Sequence, residues 1–235
     1  MLSTSNFINY LINRLLTFFT SIIFITGCSD NKPGADAKTQ QTDNKPPVAT
    51  ATNMKTILFF GNSLTAGYGV DPSEAYPALI QSKIDSLELN YKVINAGVSG
   101  ETTAGGNSRV GWILKQPVDI FVLELGSNDG LRGIPLTETK KNLQSIIDKV
   151  KAKYPEAKLL IAGMQIPPNM GVQYATTFKN IFPEIAKKND VALIPFLLQG
   201  VGGEAKFNQE DRIHPTAEGY KIVAENVWRV LRNEL

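Results

Sequence analysis

A three-layer α/β/α fold, with a central parallel sheet of five strands, is predicted by three observations. From residue 55 onward, short apolar runs alternate with segments whose apolar residues recur at helical spacing. The runs are nearly continuous rather than alternating, as strands covered on both faces require. The first three runs each end in glycine, where a chain leaving a sheet has to turn.

The elements follow in order. "KTILFFG" (55–61) reads as a buried strand. "YPALIQSKIDSLEL" (76–89) is a helix with Leu79, Ile80, Ile84 and Leu87 on one face. "YKVINAG" (91–97) and "VDIFVLELG" (118–126) are strands, and the sequence yields no element between the loop after residue 97 and Pro117. "TETKKNLQSIIDKVKAKYP" (137–155) is a helix opened by Thr137 and closed before Pro155, with Leu143, Ile146, Ile147 and Val150 inward. "AKLLIAGM" (157–164) is the fourth strand. A helix runs through Phe178, Ile181, Phe182 and Ile185, with Pro183 expected to disturb it. "VALIPF" (191–196) is the fifth strand, and 217–235 is a closing helix with Tyr220, Val223, Val227 and Val230 inward.

Composition narrows the function. Apolar residues make up 43% and charged residues 20%, as in ordinary globular chains. A net charge of +2 without a Lys/Arg run gives no footprint for nucleic acid. The one cysteine, Cys28, excludes an internal disulfide and a Cys-cluster metal site, and the one histidine, His214, excludes a multi-His zinc site. No Asp-rich loop has calcium or magnesium spacing. Neither metal nor cofactor is expected, so hydrolysis would fall to side chains.

Residues 1–27 read as an export signal. Arg14 precedes "LLTFFTSIIFI" (15–25), an apolar run too short to span a bilayer. "ITGC" follows, with bulky Ile25 where ordinary signal peptidase needs a small residue. The stretch resembles a bacterial lipobox, which implies lipidated Cys28 at the mature N-terminus. Residues 29–54 contain no aromatic, Leu or Ile. Residues 28–54 are therefore expected to be a disordered tether reaching on the order of 30 Å. Residues 55–235 form the remaining, folded domain.

Ligands of parallel α/β sheets bind beyond the carboxyl ends of the strands, so the loops there matter most. "GNSLTAGYG" (61–69) puts Ser63 at a strand end, among free backbone N–H groups. It lacks the glycine pattern of an α/β-hydrolase elbow, a P-loop or a dinucleotide fingerprint. "NAGVSGETT" (95–103) carries Gly97 and Gly100, which allow close backbone approach and an N–H aimed at an anion. "GSNDG" (126–130) offers the Asn128 amide. In "DRIHPTAEG" (211–219), Asp211 precedes the sole histidine by three residues, and Pro215 suits the first position of the closing helix. Taken singly, these are an N-cap serine, two turns and a helix-entry carboxylate. Together they put an alcohol, amide donors and an Asp–His pair at four strand ends.

These four blocks, in this order, resemble those of the SGNH (GDSL) hydrolases, and "GSNDGLRG" (126–133) is especially similar to the bacterial arylesterase, thioesterase I and lysophospholipase group. The resemblance covers the chain from Lys55 onward and implies a flavodoxin-like SGNH fold. It implies Ser63 as nucleophile, His214 as base and Asp211 as its partner. The oxyanion donors would be the Ser63 and Gly100 N–H groups and the Asn128 side chain. One position departs: the family usually has Asp before the serine, and here Asn62 stands there.

The expected activity is hydrolysis of esters or thioesters. "IPPNMGVQY" (166–174) and "PFLLQGV" (195–201) follow the last two strands and either wall an acyl groove or only cover the core. The first choice favours lipophilic esters or lipids over acetylated sugars. The expected partners are such a small-molecule substrate and a membrane reached through Cys28, with no obligate protein partner. The alternatives are a non-catalytic cell-surface binding module, a carbohydrate acetylesterase and a flavodoxin-like cofactor binder.

Overall fold

The computed structural model describes residues 54–235; the expected signal, Cys28 and tether lie outside the described residues, apart from Met54. The strands are β1 (Lys55–Gly61), β2 (Tyr91–Gly97), β3 (Ile120–Glu124), β4 (Lys158–Ala162) and β5 (Ala192–Ile194). All pair in parallel, in the order β2-β1-β3-β4-β5. The helices are α1 (Ser63–Ala66), α2 (Tyr76–Ser86), α3 (Thr103–Ile113), α4 (Ser127–Leu131), α5 (Leu136–Lys153), α6 (Val172–Asn189) and α7 (Ala217–Leu231). Both β1 and β3 are buried almost throughout, which is why they read as unbroken apolar runs.

Side-chain alternation along β1 assigns the faces. Phe59 meets Tyr76 of α2 edge-on at 5.3 Å, and α7 packs beside α2. Phe60 points the other way, under the guanidinium of Arg109 in α3, 4.1 Å from its centroid; α5 and α6 complete that layer. The strand order reverses between β1 and β3. There a crevice opens at the carboxyl edge, with α1 leaving β1 on one side and α4 following β3 on the other.

Several local expectations are corrected. Helix α3 was not expected; Gly105, Gly106 and Gly111 blur its apolar face. Helix α5 starts at Leu136 after Pro135, whose carbonyl takes the N–H groups of Glu138 and Thr139, so Thr137 lies inside it. Pro183 does not interrupt α6. It is exposed, and the carbonyl it cannot serve belongs to exposed Lys179, where water can take the bond. Pro215 is not the first residue of α7. Thr216 caps that helix by accepting the Gly219 N–H, and Pro215 instead bridges to Asn208. Leu87 is exposed, because α2 ends at Ser86.

On the inner face of α7, Asn226 is buried and donates to the carbonyls of Leu197 (3.0 Å) and Gln199 (2.8 Å). It ties the segment after β5 to the helix layer. Asn226→Leu leaves two carbonyls without donors. The expected loss is about 1–3 kcal/mol, read as a melting temperature lower by roughly 3–10 °C.

Candidate active site

Ser63 is the first residue of α1. Its backbone N–H is one of those that a helix start leaves without an internal partner. Asn62 caps the turn, its Oδ1 accepting the Leu64 N–H at 2.9 Å, and its Nδ2 reaches Ser127 Oγ (2.8 Å) and Glu124 Oε1 (2.8 Å). Asn62 thus joins the ends of β1 and β3 directly under Ser63.

His214 lies 151 residues further on, yet its Nε2 is 2.8 Å from Ser63 Oγ. Its Nδ1 is 2.6 Å from Asp211 Oδ2, while Asp211 Oδ1 accepts the N–H groups of Ile213 (2.9 Å) and His214 (3.0 Å). One carboxylate therefore sets both the backbone and the ring of the histidine. With Nδ1–H donating to Asp211, Nε2 offers its lone pair to the serine hydroxyl. Partial burial pushes the Asp211 carboxyl up. Hydrogen bonds from the His214 ring and the two N–H groups outweigh it and bring the carboxyl down to about 2.

The turn is fastened from both sides. Gln209 N–H donates to the His214 carbonyl at 2.7 Å, and Thr216 N–H to that of Phe207 at 2.9 Å. The Gln209 side chain donates to the carbonyls of Tyr68 (2.7 Å) and Pro215 (3.0 Å), stapling this turn to the loop after α1. The Tyr68 ring lies against the imidazole, centroids 4.6 Å apart.

The loop after β2 is held as firmly. Arg109 grips Glu101 with Nε (2.8 Å) and Nη2 (2.6 Å) and also donates to the Ala96 carbonyl. Arg132 donates to the Gly100 carbonyl, and Asn128 Nδ2 to that of Glu101 at 2.9 Å. Gly100 has φ 77°, a left-handed conformation that glycine adopts without strain. Its N–H has no acceptor among the described residues. Asn128 keeps a second amide hydrogen.

All five sequence-predicted site residues, Ser63, Gly100, Asn128, Asp211 and His214, are thus gathered at one edge. Four of them line, and Asp211 adjoins, a cleft of about 540 Å³. Its walls are largely apolar, with Leu131, Met164, Ile166, Phe196 and Leu198 prominent. Both segments suspected of forming a groove contribute, although Leu197 and Val201 turn into the core. Sequence reading missed Tyr68, Gln209, the Arg109–Glu101 clamp and Glu124. Only Glu124 left a signal, as a charged residue inside an apolar run.

An alcohol, an imidazole and a carboxylate in line beside an apolar cleft meet the needs of ester hydrolysis. The profile of the GDSL-like Lipase/Acylhydrolase family matches residues 59–222. Esterase TesA of Pseudomonas aeruginosa is 38% identical over 179 residues, covering 76% of this chain and 88% of its own. Thioesterase 1/protease 1/lysophospholipase L1 of Escherichia coli K12 is 39% identical over 176 residues, 74% of this chain and 82% of its own. Among solved structures, the psychrotrophic esterase EstA from Pseudoalteromonas, inhibited by monoethylphosphonate, has a TM-score of 0.72. It is 30% identical, over 76% of this chain and 97% of that one. The chain belongs to the GDSL-like lipase/acylhydrolase family. It is an ester-hydrolysing enzyme.

A pH dependence follows from Asp211. Its folded-state pKa lies below the ordinary 3.8, so its stabilisation is fully present above about pH 4 and is lost as pH falls toward 2. Urea melts of wild type and Asp211→Asn are expected to differ at pH 6 and to converge near pH 2.

Proposed function

We propose that the chain is a serine esterase acting on carboxylic esters or thioesters of lipophilic acyl groups, through a Ser63–His214–Asp211 triad and an acyl-enzyme. The observation that carries the reading is the unbroken line from Asp211 Oδ2 through the imidazole to Ser63 Oγ, with steps of 2.6 and 2.8 Å.

In the first step His214 Nε2 takes the Ser63 proton as Oγ bonds to the acyl carbon. The carbonyl electron pair moves onto oxygen, facing the Ser63 and Gly100 N–H groups and the free amide hydrogen of Asn128. When the oxyanion collapses, the bond to the alcohol or thiol breaks, and the leaving group takes the proton from Nε2. Water then gives a proton to Nε2 and attacks the acyl carbon; collapse returns that proton to Oγ and frees the acid. Asp211 keeps Nδ1–H in place and offsets the imidazolium charge. The acyl chain lies along Leu131, Ile166, Phe196 and Leu198, which favours lipophilic acyl groups over acetylated sugars.

Ser63→Ala and His214→Ala are each expected to remove nearly all turnover of p-nitrophenyl esters, since no second histidine exists to substitute. Asn128→Ala is expected to lower kcat by about 10²–10³. Near-normal hydrolysis by purified Ser63→Ala would overturn the reading.

We also propose that the chain is exported and lipid-anchored to a bacterial membrane through Cys28. The support is the "ITGC" stretch after an 11-residue apolar run. The wild-type chain is expected to partition with membranes and to incorporate labelled palmitate. Cys28→Ser is expected to do neither; equal labelling of both would refute the anchor.

A further inference from the structure

Glu124 ends β3 with no exposure to solvent. Its Oε1 accepts from Asn62 Nδ2 at 2.8 Å. Its Oε2 accepts the Asn62 N–H (3.1 Å) and the Thr65 hydroxyl (2.8 Å). Thr65 is itself 2.7 Å from the Tyr76 hydroxyl. Space for this arrangement exists because residue 61 is glycine: a Cβ there would lie 2.6 Å from Glu124 Oε2 and 2.1 Å from Thr65 Oγ1. The two residues that flank the Ser63–Leu64 step are thus both held by one carboxylate.

A buried carboxylate normally has a cation beside it. Among the described residues, Glu124 forms no ion pair with lysine, arginine or histidine. The titratable groups whose charge acts with it are Tyr76 from α2 and Tyr220 from α7, both held neutral well above the usual tyrosine range. Every hydrogen bond to Glu124 comes from the turn that carries the serine, and the proposed triad does not use it.

We infer that Glu124 is the positioning residue of the Ser63 turn. Its anionic carboxylate clamps Asn62 and Thr65 so that Ser63 Oγ stays in line with His214. The inference rests on the hydrolase reading of Ser63. Burial raises this carboxyl to about 7, against the hydrogen bonds from Thr65 and Asn62, so the clamp is anionic above about pH 7.

Hydrogen-bond accounting makes the inference testable. In Glu124→Gln, one end of the new amide faces donors, so one clamp bond is lost. Asn62→Asp alone sets two carboxylates about where Nδ2 and Oε1 now lie 2.8 Å apart, so the pair must retain a proton. In the double exchange Asn62→Asp/Glu124→Gln every partner is restored. The new amide nitrogen at position 124 donates to the new carboxylate at position 62. The amide oxygen at position 124 accepts the backbone N–H of position 62 and the Thr65 hydroxyl. Ser127 reverses to donate, and the Leu64 N–H keeps its cap.

The experiment measures kcat and KM for a p-nitrophenyl ester from pH 5 to 10, with melting curves and the rate of Ser63 labelling by a fluorophosphonate. Glu124→Gln is expected to lose about 10² in kcat with little change in KM, as a misplaced nucleophile would. The double exchange is expected to recover to within about tenfold of wild type, as coupled sites do. The wild-type acid limb is expected to include the protonation of Glu124, and that of Glu124→Gln to lack this component. Asn62→Asp is expected to lose activity on the alkaline side. Should Glu124→Gln not fold, Thr65→Val removes one clamp bond, and an expected loss of about tenfold in kcat takes its place. A double exchange no better than Glu124→Gln, or a folded Glu124→Gln or Thr65→Val with wild-type kcat, would overturn the assignment of Glu124 alone. A wild-type chain that neither hydrolyses the ester nor takes the label would overturn the hydrolase reading beneath it.

Discussion

The 2.8 Å contact between His214 Nε2 and Ser63 Oγ joins two residues 151 positions apart, and the rest of the structure serves to hold it. Neither partner is placed by its own segment alone. Ser63 is fixed by a four-residue helix that could not persist in isolation. His214 is fixed by a turn ahead of α7, whose backbone is tied to Asp211, Gln209 and Phe207. The parallel sheet is what brings them together. With all strands running one way, every loop that leaves a carboxyl end opens onto the same edge.

That edge is divided between polar fixtures and an apolar cavity. On the floor, Asn62, Ser127, Glu124 and Thr65 form a network between the ends of β1 and β3. On one side, Arg109 and Arg132 fix the loop that bears Gly100, so its N–H is aimed before any ligand arrives. On the other side, Gln209 closes the seam between the serine and histidine loops. Preorganised donors do more than mobile ones, because they need no reorientation as charge develops. The part of the apolar wall made by Phe196 and Leu198 comes from the segment that Asn226 pins to α7. Core packing and substrate cleft thus share one strap.

The strands and most helices were legible because burial on both faces imposes a pattern that survives in one dimension. Three of the four site blocks were legible because they sit where strands end; the fourth lies 17 residues or more beyond β5, ahead of α7, and was legible because it holds the sole histidine. Three kinds of feature were not. Helix α3 was hidden by glycines that let it pack closely: a Cβ on Gly106 would lie 2.4 Å from Leu125 Cδ1. The start of α5 was misplaced by one or two residues, and Pro215 was taken for the first position of α7 where Thr216 caps it, because which residue caps a helix depends on local hydrogen bonds. The partners that steady the site were invisible: Gln209 and Tyr68 gain their roles only through contacts between loops far apart in sequence, and Arg109 reaches back to Glu101 from α3, the helix the sequence did not reveal. Glu124 lay between: its charge in an apolar strand marked it as unusual, but its partners were knowable only from the fold.

Convergence of the alcohol, the imidazole and three N–H donors on one reacting carbon is tested most directly by a crystal structure of the chain after reaction with an alkyl phosphonate. Phosphorus is expected to be bonded to Ser63 Oγ, its free oxygen within about 3 Å of the Ser63 N, Gly100 N and Asn128 Nδ2, and the alkyl group along Ile166 and Phe196. Phosphorus on any other residue, or an oxygen turned to solvent away from those donors, would contradict that convergence.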